Sequence, residues 1–401
     1  MNLPEREQLP ASGCIQAVLH TGVQPVLCFC NTSKTWGGGE KWHLEAALAM
    51  ARRGYRVFLV CQANSALYER AGEHPELELF PVRLGRFSFL NPMFMGVLTN
   101  FLRHNAVHAV VLNLPSDLKC IAPAAQKAGV ARIFYRRGSA IAVKNSWMNR
   151  RLFGLLTGVI VNSQATRDTL LQNNTSLVAP ERVHLLPNGV DIAAFDAALQ
   201  ALPEQPDKGT PPAQSTRPLV IGTAGRLSPE KAQHLLLLLG AALQPLGVPF
   251  QLVIAGSGPR LEALHALAER LGVQEHVEFM GFQENLASFW QRIDLFVLPS
   301  LWEGFGYVLV EAMLARKPVF AFNVSNMPNL VQQGVNGRLF PLPRGAETLE
   351  EAGPLQQMAE AAMQLWQHPE QGKAMGEAGR AFVEANFSQE AAMHTLEALL
   401  R

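Results

Sequence analysis

Apolar residues along this chain fall into short continuous runs separated by stretches of helical spacing. Val26–Asn31 (VLCFCN) is a run of the first kind, as expected for a strand buried on both faces. Leu44, Ala47, Leu48 and Ala51 then recur at helical spacing, and Gly54 closes that helix. Tyr55–Val60 reads as the next strand. Ala109–Leu114, Arg132–Tyr135 and Gly158–Asn162 follow, each trailed by a helical stretch. The segment Ala193–Pro218 breaks the rhythm with Ala, Gln, Pro, Gly and Thr, and reads as a linker. Beyond it, Leu219–Ala224, Phe250–Ala255, Val277–Met280, Leu295–Leu298 and Val319–Phe322 repeat the pattern. This alternation predicts the α/β class, with two doubly wound parallel-sheet domains. The expected divisions are 1–192, a linker at 193–217, 218–387, and a closing helix at 388–401 that packs back on the first domain.

Composition narrows the class. At 401 residues the chain is too long for one typical core. Its 48% hydrophobic and 17% charged residues suit a well-buried protein rather than a disordered or fibrous one. No apolar run approaches the roughly 18 residues of a membrane span, and the first 24 residues do not read as a secretory signal. The five cysteines show no CxxC spacing, so a zinc site or disulfide framework is not expected and a reducing cytoplasm is.

The net charge of +1 conceals an asymmetry. Residues 1–217 carry 22 Lys and Arg against 15 Asp and Glu, and the remainder 12 against 18. Between Asp117 and Asp168 there is no acidic residue but there are nine basic ones. Such a stretch favours phosphorylated ligands or an anionic membrane surface. It is equally compatible with a solvated face balanced across a cleft by the acidic half.

Candidate chemistry lies at the turns. TWGGGEK sets Gly37, Gly38 and Gly39 before a helix, where unpaired N–H groups suit a phosphate. The second strand ends in Cys61-Gln62, without the acid that holds a nicotinamide ribose, so NAD is disfavoured. In GTAGRLSPEK, Ser228 is the predicted N-cap and Pro229 the first helical residue. Lys231 then falls in the first helical turn, where a cation opposes the macrodipole unless an anion lies beside it and Arg226. AGSGP (255–259) and FMGF (279–282) are further strand ends on the carboxyl edge. In SLWEGFGYVLVEA, Glu303 is predicted in a loop and Glu311 inside the following helix. A retaining glycosidase needs its carboxyl groups about 5–5.5 Å apart, whereas eight helical residues rise roughly 12 Å. The spacing favours a ligand clamp over a hydrolytic pair.

GGGEK (37–41), PNGVD (187–191), GRLSPEK (225–231), AGSGP (255–259) and E-x7-E (303–311) occur in that order. With them the chain resembles the retaining GT-B-fold glycosyltransferases of family 4 (group 1), from about Pro25 to Leu400. The resemblance implies two Rossmann-like domains facing a central cleft, the first binding acceptor and the second binding a UDP-sugar or GDP-sugar donor. It implies a hexosyltransferase-like reaction without cofactor or metal, and the six aspartates form no DxD. Arg226 and Lys231 would neutralise the diphosphate and, with Glu303, serve catalysis. Gly38 and Gly39 would approach the phosphates, and Glu303 with the amides of Phe305 and Gly306 would hold the sugar. Glu311 would take the ribose, while Ser257, Gly258, Met280 and Gly281 would line the base. The implied acceptor is a glycan or glycolipid of the bacterial cell envelope, such as a polysaccharide or lipopolysaccharide. The implied place is the cytoplasm, with peripheral attachment to the inner face of the membrane; nucleic acid is not an expected partner.

One departure stands out. Many family members place a histidine where this chain reads YRRGSAIA. Arg136, Arg137 and Ser139 are therefore expected to contact an anionic acceptor or the donor phosphate, and His104 and His108 to be structural. A sugar-nucleotide epimerase and an inactive nucleotide-binding scaffold are the competing functions.

Overall fold

A computed structural model of the chain describes residues 25–203 other than Arg86 and Asn173, 217–343 and 353–401. Seven parallel strands form the first sheet: β1 (Val26–Asn31), β2 (Val57–Gln62), β3 (Glu78–Val82), β4 (Val107–Leu112), β5 (Arg132–Arg137), β6 (Gly158–Val161) and β7 (Val183–Leu185). Their order is β3-β2-β1-β4-β5-β6-β7. Six more form the second: β8 (Leu219–Ala224), β9 (Phe250–Ala255), β10 (Val277–Gly281), β11 (Leu295–Leu298), β12 (Val319–Phe322) and β13 (Gly337–Phe340), in the order β10-β9-β8-β11-β12-β13. Strand order reverses between β1 and β4, and again between β8 and β11. At such points the outgoing loops part and leave a crevice at the carboxyl edge.

Both faces of each sheet are covered. Cys28, Cys30, Val110 and Tyr135 pack beneath helices Pro92–His104 and Pro115–Ala128. Leu27, Phe29, Phe134 and Ile160 point the other way, toward helix Gly38–Arg52. The last helix, Gln389–Leu400, joins that same face through Met393, Leu396 and Leu400. Tyr55 Oη donates to Glu397 at 2.8 Å and Arg53 pairs with Glu390 at 2.6 Å. In the second sheet, helix His234–Leu243 (HLLLLLGAAL) is buried almost all round, which is why its sequence shows no polar face.

The chain passes between the domains twice, and the two passages lie side by side. Val190 N donates to Phe387 O at 2.9 Å, and Gln389 N to Val190 O at 3.1 Å. A Cβ on Gly189 would sit 2.4 Å from the Gln389 Cα, so this approach requires glycine. Arg380, nearly buried, braces the junction with two bonds to Asp196 at 2.7 and 2.8 Å.

Three strands escape the sequence pattern, and all are sheet edges. β3 is half exposed and contains Pro81, which only an edge tolerates. β7 has three residues, and β13 begins Gly-Arg. Ile192–Gln200 is a helix where the linker was expected to begin, because Asp191 caps an alanine-rich run of good helix formers. Residues 204–216 of that linker, and Cys14, lie outside the described residues.

Candidate active site in the interdomain cleft

Between the two carboxyl edges lies a cleft of about 710 Å³. From the first domain, Gly37–Gly39 open helix Gly38–Arg52 directly beneath it. Gly38 lies against the Tyr307 ring of the second domain, where a Cβ would come within 3.3 Å. From the second domain come Arg226, Lys231, Ser257 and the loop Trp302–Gly306. Arg226 reaches across to donate to Trp36 O at 3.3 Å.

Glu303 is nearly buried and is the polar focus of the loop. Its Oε1 accepts from Lys231 Nζ at 2.5 Å and from Ser300 Oγ at 2.7 Å. Gly306 turns the chain into helix Tyr307–Leu314 with φ of +95°, a conformation that favours glycine. Gly304 is required for a different reason: a Cβ there would lie 1.9 Å from the carbonyl oxygen of Gly138. The domains therefore touch backbone to backbone beside Glu303.

Glu311 faces an adjoining recess of about 520 Å³, also bordered by Lys41, Glu45, Phe282 and Gln283. Lys41 Nζ lies 3.2 Å from Glu311 Oε1 and 4.0 Å from Glu45 Oε1. Burial raises the Glu45 carboxyl to about 7; Lys41 opposes the rise, while Glu311 and Asp191 add to it. Arg70 stacks on Trp36 at 4.6 Å and pairs with Glu284 across the domains at 3.5 Å.

Arg136 forms the wall opposite. It is buried, lies 4.3 Å over the Trp42 ring, and donates to Asn188 Oδ1 at 2.9 Å and Asn113 Oδ1 at 3.4 Å. Burial draws its guanidinium down to about 10. Burial, with the Arg136 charge beside it, pushes His43 down to about 3, so that imidazole is neutral.

Residues 208–382 match the family described as Glycosyl transferases group 1, and residues 36–194 match Glycosyltransferase Family 4. The chain belongs to the GT-B group 1 glycosyltransferases. A protein named EpsF from Bacillus subtilis (strain 168) is 39% identical to this glycosyltransferase-family chain over 138 residues, 34% of this chain and 35% of its own. The alpha-D-kanosaminyltransferase of Streptomyces kanamyceticus is 28% identical over 257 residues, 64% of this chain and 63% of its own. The alignments thus span between about a third and two thirds of those relatives' lengths. In structure, Anabaena Alr3699/HepE in complex with UDP and glucose superposes with a TM-score of 0.74 at 22% identity, covering 94% of this chain and 99% of that one. That likeness is one of fold.

Within this GT-B frame the motifs separate. Gly38, Gly39, Arg226, Lys231, Ser257, Glu303, Phe305 and Gly306 border the cleft, and Arg136 borders it from the first domain. Glu311 faces the adjoining recess, and Arg137 and Ser139 a cavity on the other side. Gly258, Met280 and Gly281 border neither cleft nor recess. Gly258 is packed on the backbone of Leu227, where a Cβ would meet the carbonyl oxygen at 2.4 Å. Gly281 O accepts from Gly256 N, and Met280 O from Gln283 Nε2. Beyond the strand end it is Phe282 and Gln283 that reach the opening.

Lys231 also departs from its expected setting. It ends a short 3-10 turn, Pro229–Lys231, and Ala232 at φ +49° interrupts the chain before helix His234–Leu243. Ser228 caps nothing; its Oγ donates to Glu230 Oε1 at 2.7 Å. Lys231 is thereby freed from the helix dipole and turned toward Glu303. Trp36 and Tyr307 were not legible as cleft residues, because their placement depends on contacts across the domains; Gly304 was legible as a loop glycine but not its contact with Gly138.

Proposed function

We propose that the protein transfers a hexose from a nucleotide diphosphate sugar to a glycan or glycolipid acceptor, with retention at the anomeric carbon. The observation that carries this reading is the convergence of Arg226, Lys231 and Glu303 on one cleft floored by Gly38 and Gly39. Arg226 and Lys231 supply positive charge where the departing diphosphate gains negative charge, so the reading calls on no metal. Glu303, with the amides of Phe305 and Gly306, holds the sugar hydroxyls. Glu311 takes the ribose in place of Lys41, and the base extends toward Phe282 and Gln283. As the bond from the anomeric carbon to the phosphate oxygen breaks, that oxygen takes the acceptor's hydroxyl proton. The acceptor oxygen then bonds to the same face of the sugar.

The acid-free basic stretch of the first domain supports a cell-envelope acceptor, handled at the inner face of the cytoplasmic membrane. No helix among the described residues is long and apolar enough to cross a membrane. Thermal shift with UDP, GDP, ADP and CMP tests the donor site: the preferred nucleotide stabilises by about 2.7 kcal/mol at a hundredfold excess over Kd. Absence of any response overturns the reading. Nucleotide release, with the product anomer read by NMR, then tests transfer and retention.

A further inference from the structure

A second cavity, of about 490 Å³, opens beside the donor cleft and shares Gly39, Arg136 and Gly138 with it. It lies at the end of β5, where the two-residue period sends successive side chains to opposite faces. Arg136 goes to the Trp42 side, and Arg137 to the side of Tyr135, whose ring lies 6.0 Å from its guanidinium. The two arginines therefore do different jobs. Arg136 borders both cavities, whereas Arg137 and Lys144 border only the second.

These three cations have no ion pair among the described residues. Arg136 meets only amide oxygens, and Arg137 Nη2 meets the carbonyl of Ile141. Among the described residues, Arg137 Nε is buried without a hydrogen-bond partner. The carboxylate bordering the cavity, Glu40, accepts from Asn31 at 3.1 Å, and nearby Asp117 is held by Thr32 and Leu114. A neutral sugar needs hydrogen-bond acceptors as well as donors. The wall sets Arg136, Arg137 and Lys144 against one carboxylate among the described residues, Glu40, whose charge acts on Arg136, and the net positive charge left at Arg137 and Lys144 suits an anion.

We propose that this cavity is an acceptor subsite for an anionic oxygen group, phosphate or carboxylate, seated on Arg137 and Lys144 next to the reacting hydroxyl. Arg136 is the shared wall that faces both this anion and the donor phosphates. The proposal rests on the transferase reading. A soluble sugar phosphate and an anionic lipid headgroup offer the same chemistry.

The test measures binding by calorimetry with UDP saturating the donor cleft, using inorganic phosphate, glucose 6-phosphate, glucuronate and methyl glucoside as probes. The wild type should bind glucose 6-phosphate or glucuronate at least tenfold more tightly than methyl glucoside. Arg137→Gln with Lys144→Gln should erase that preference, Arg137→Lys should restore part of it, and melting temperature and UDP affinity should hold. Sedimentation with phosphatidylglycerol or phosphatidylcholine vesicles separates the sources. Loss of phosphatidylglycerol binding in the double variant marks a lipid-borne anion; no vesicle binding beside retained glucose 6-phosphate binding marks a soluble one. Equal affinity for charged and neutral probes, or an unchanged preference in the double variant, overturns the proposal. Anion binding without any UDP binding would instead overturn the transferase reading.

Discussion

The contact between Gly304 and Gly138 makes a quantitative prediction. Adding one methyl group, Gly304→Ala, would place a Cβ 1.9 Å from the Gly138 oxygen. Real Cβ atoms essentially never approach closer than 3.0 Å, so the backbones must part by about 1.1 Å at least. The carbonyl is not free to swing aside, because Asn162 Nδ2 donates to it at 3.1 Å. Neither core is touched, so the domains are expected to separate rather than unfold. Glu303 is adjacent to the parting loop, and a misplacement of about 1 Å at a reacting centre can cost roughly 10²-fold. Turnover in a nucleotide-release assay should therefore fall about a hundredfold, or about 2.7 kcal/mol, while the melting temperature moves by no more than about 3 °C. Gly138→Ala is the milder comparison: its Cβ would meet no backbone but only the Arg136 guanidinium, at 3.1 Å, which must give by a few tenths of an ångström, so it should cost less than Gly304→Ala. Wild-type turnover in Gly304→Ala, or greater damage in Gly138→Ala, would refute the reasoning.

Other substitutions probe the same frame. Glu303→Gln should lower kcat by roughly 10²–10³-fold with UDP affinity nearly kept, whereas Glu311→Gln should mainly weaken UDP binding; calorimetry beside steady-state kinetics would show the division, and the reverse pattern would reject it. Glu45 holds its proton to about pH 7 when folded but to about 4.5 when unfolded, so the folded state loses stability as pH rises from 4.5 to 7. Glu45→Gln should accordingly raise the melting temperature at pH 8 and change it little at pH 5. Arg380→Ala should cost roughly 2–3 kcal/mol in urea unfolding, because its charged bonds to Asp196 and Glu384 are lost together. Asp196→Asn should cost less, since that carboxylate is a third exposed and can rehydrate.

What could be read from the sequence followed burial. The central strands β1, β4, β8 and β11 are nearly all apolar because helices cover both faces, and each was visible as a continuous run. β3, β7 and β13 were not, because an edge strand is short or carries Pro, Gly and charge. That Gly37–Gly39, Arg226, Lys231 and Glu303 line the cleft was legible because βα turns at a strand-order reversal face a crevice by construction. Gly258 misled because a glycine packed on a neighbouring loop looks, in sequence, like a glycine facing a ligand. The roles of Arg136 and Arg137 could not be separated without knowing that both lie within β5, where alternation assigns them to different faces.

The return of helix Gln389–Leu400 to the first sheet has a consequence for how the molecule is made. Leu27, Phe29 and Phe134 are synthesised well before Met393, Leu396 and Leu400, which complete their layer. The first domain must therefore wait, with one apolar face incomplete, while the whole of the second is synthesised and folded. Order of assembly runs against order of synthesis, and residues 25–192 expressed alone would carry a hydrophobic face that helix Gln389–Leu400 covers in the longer chain.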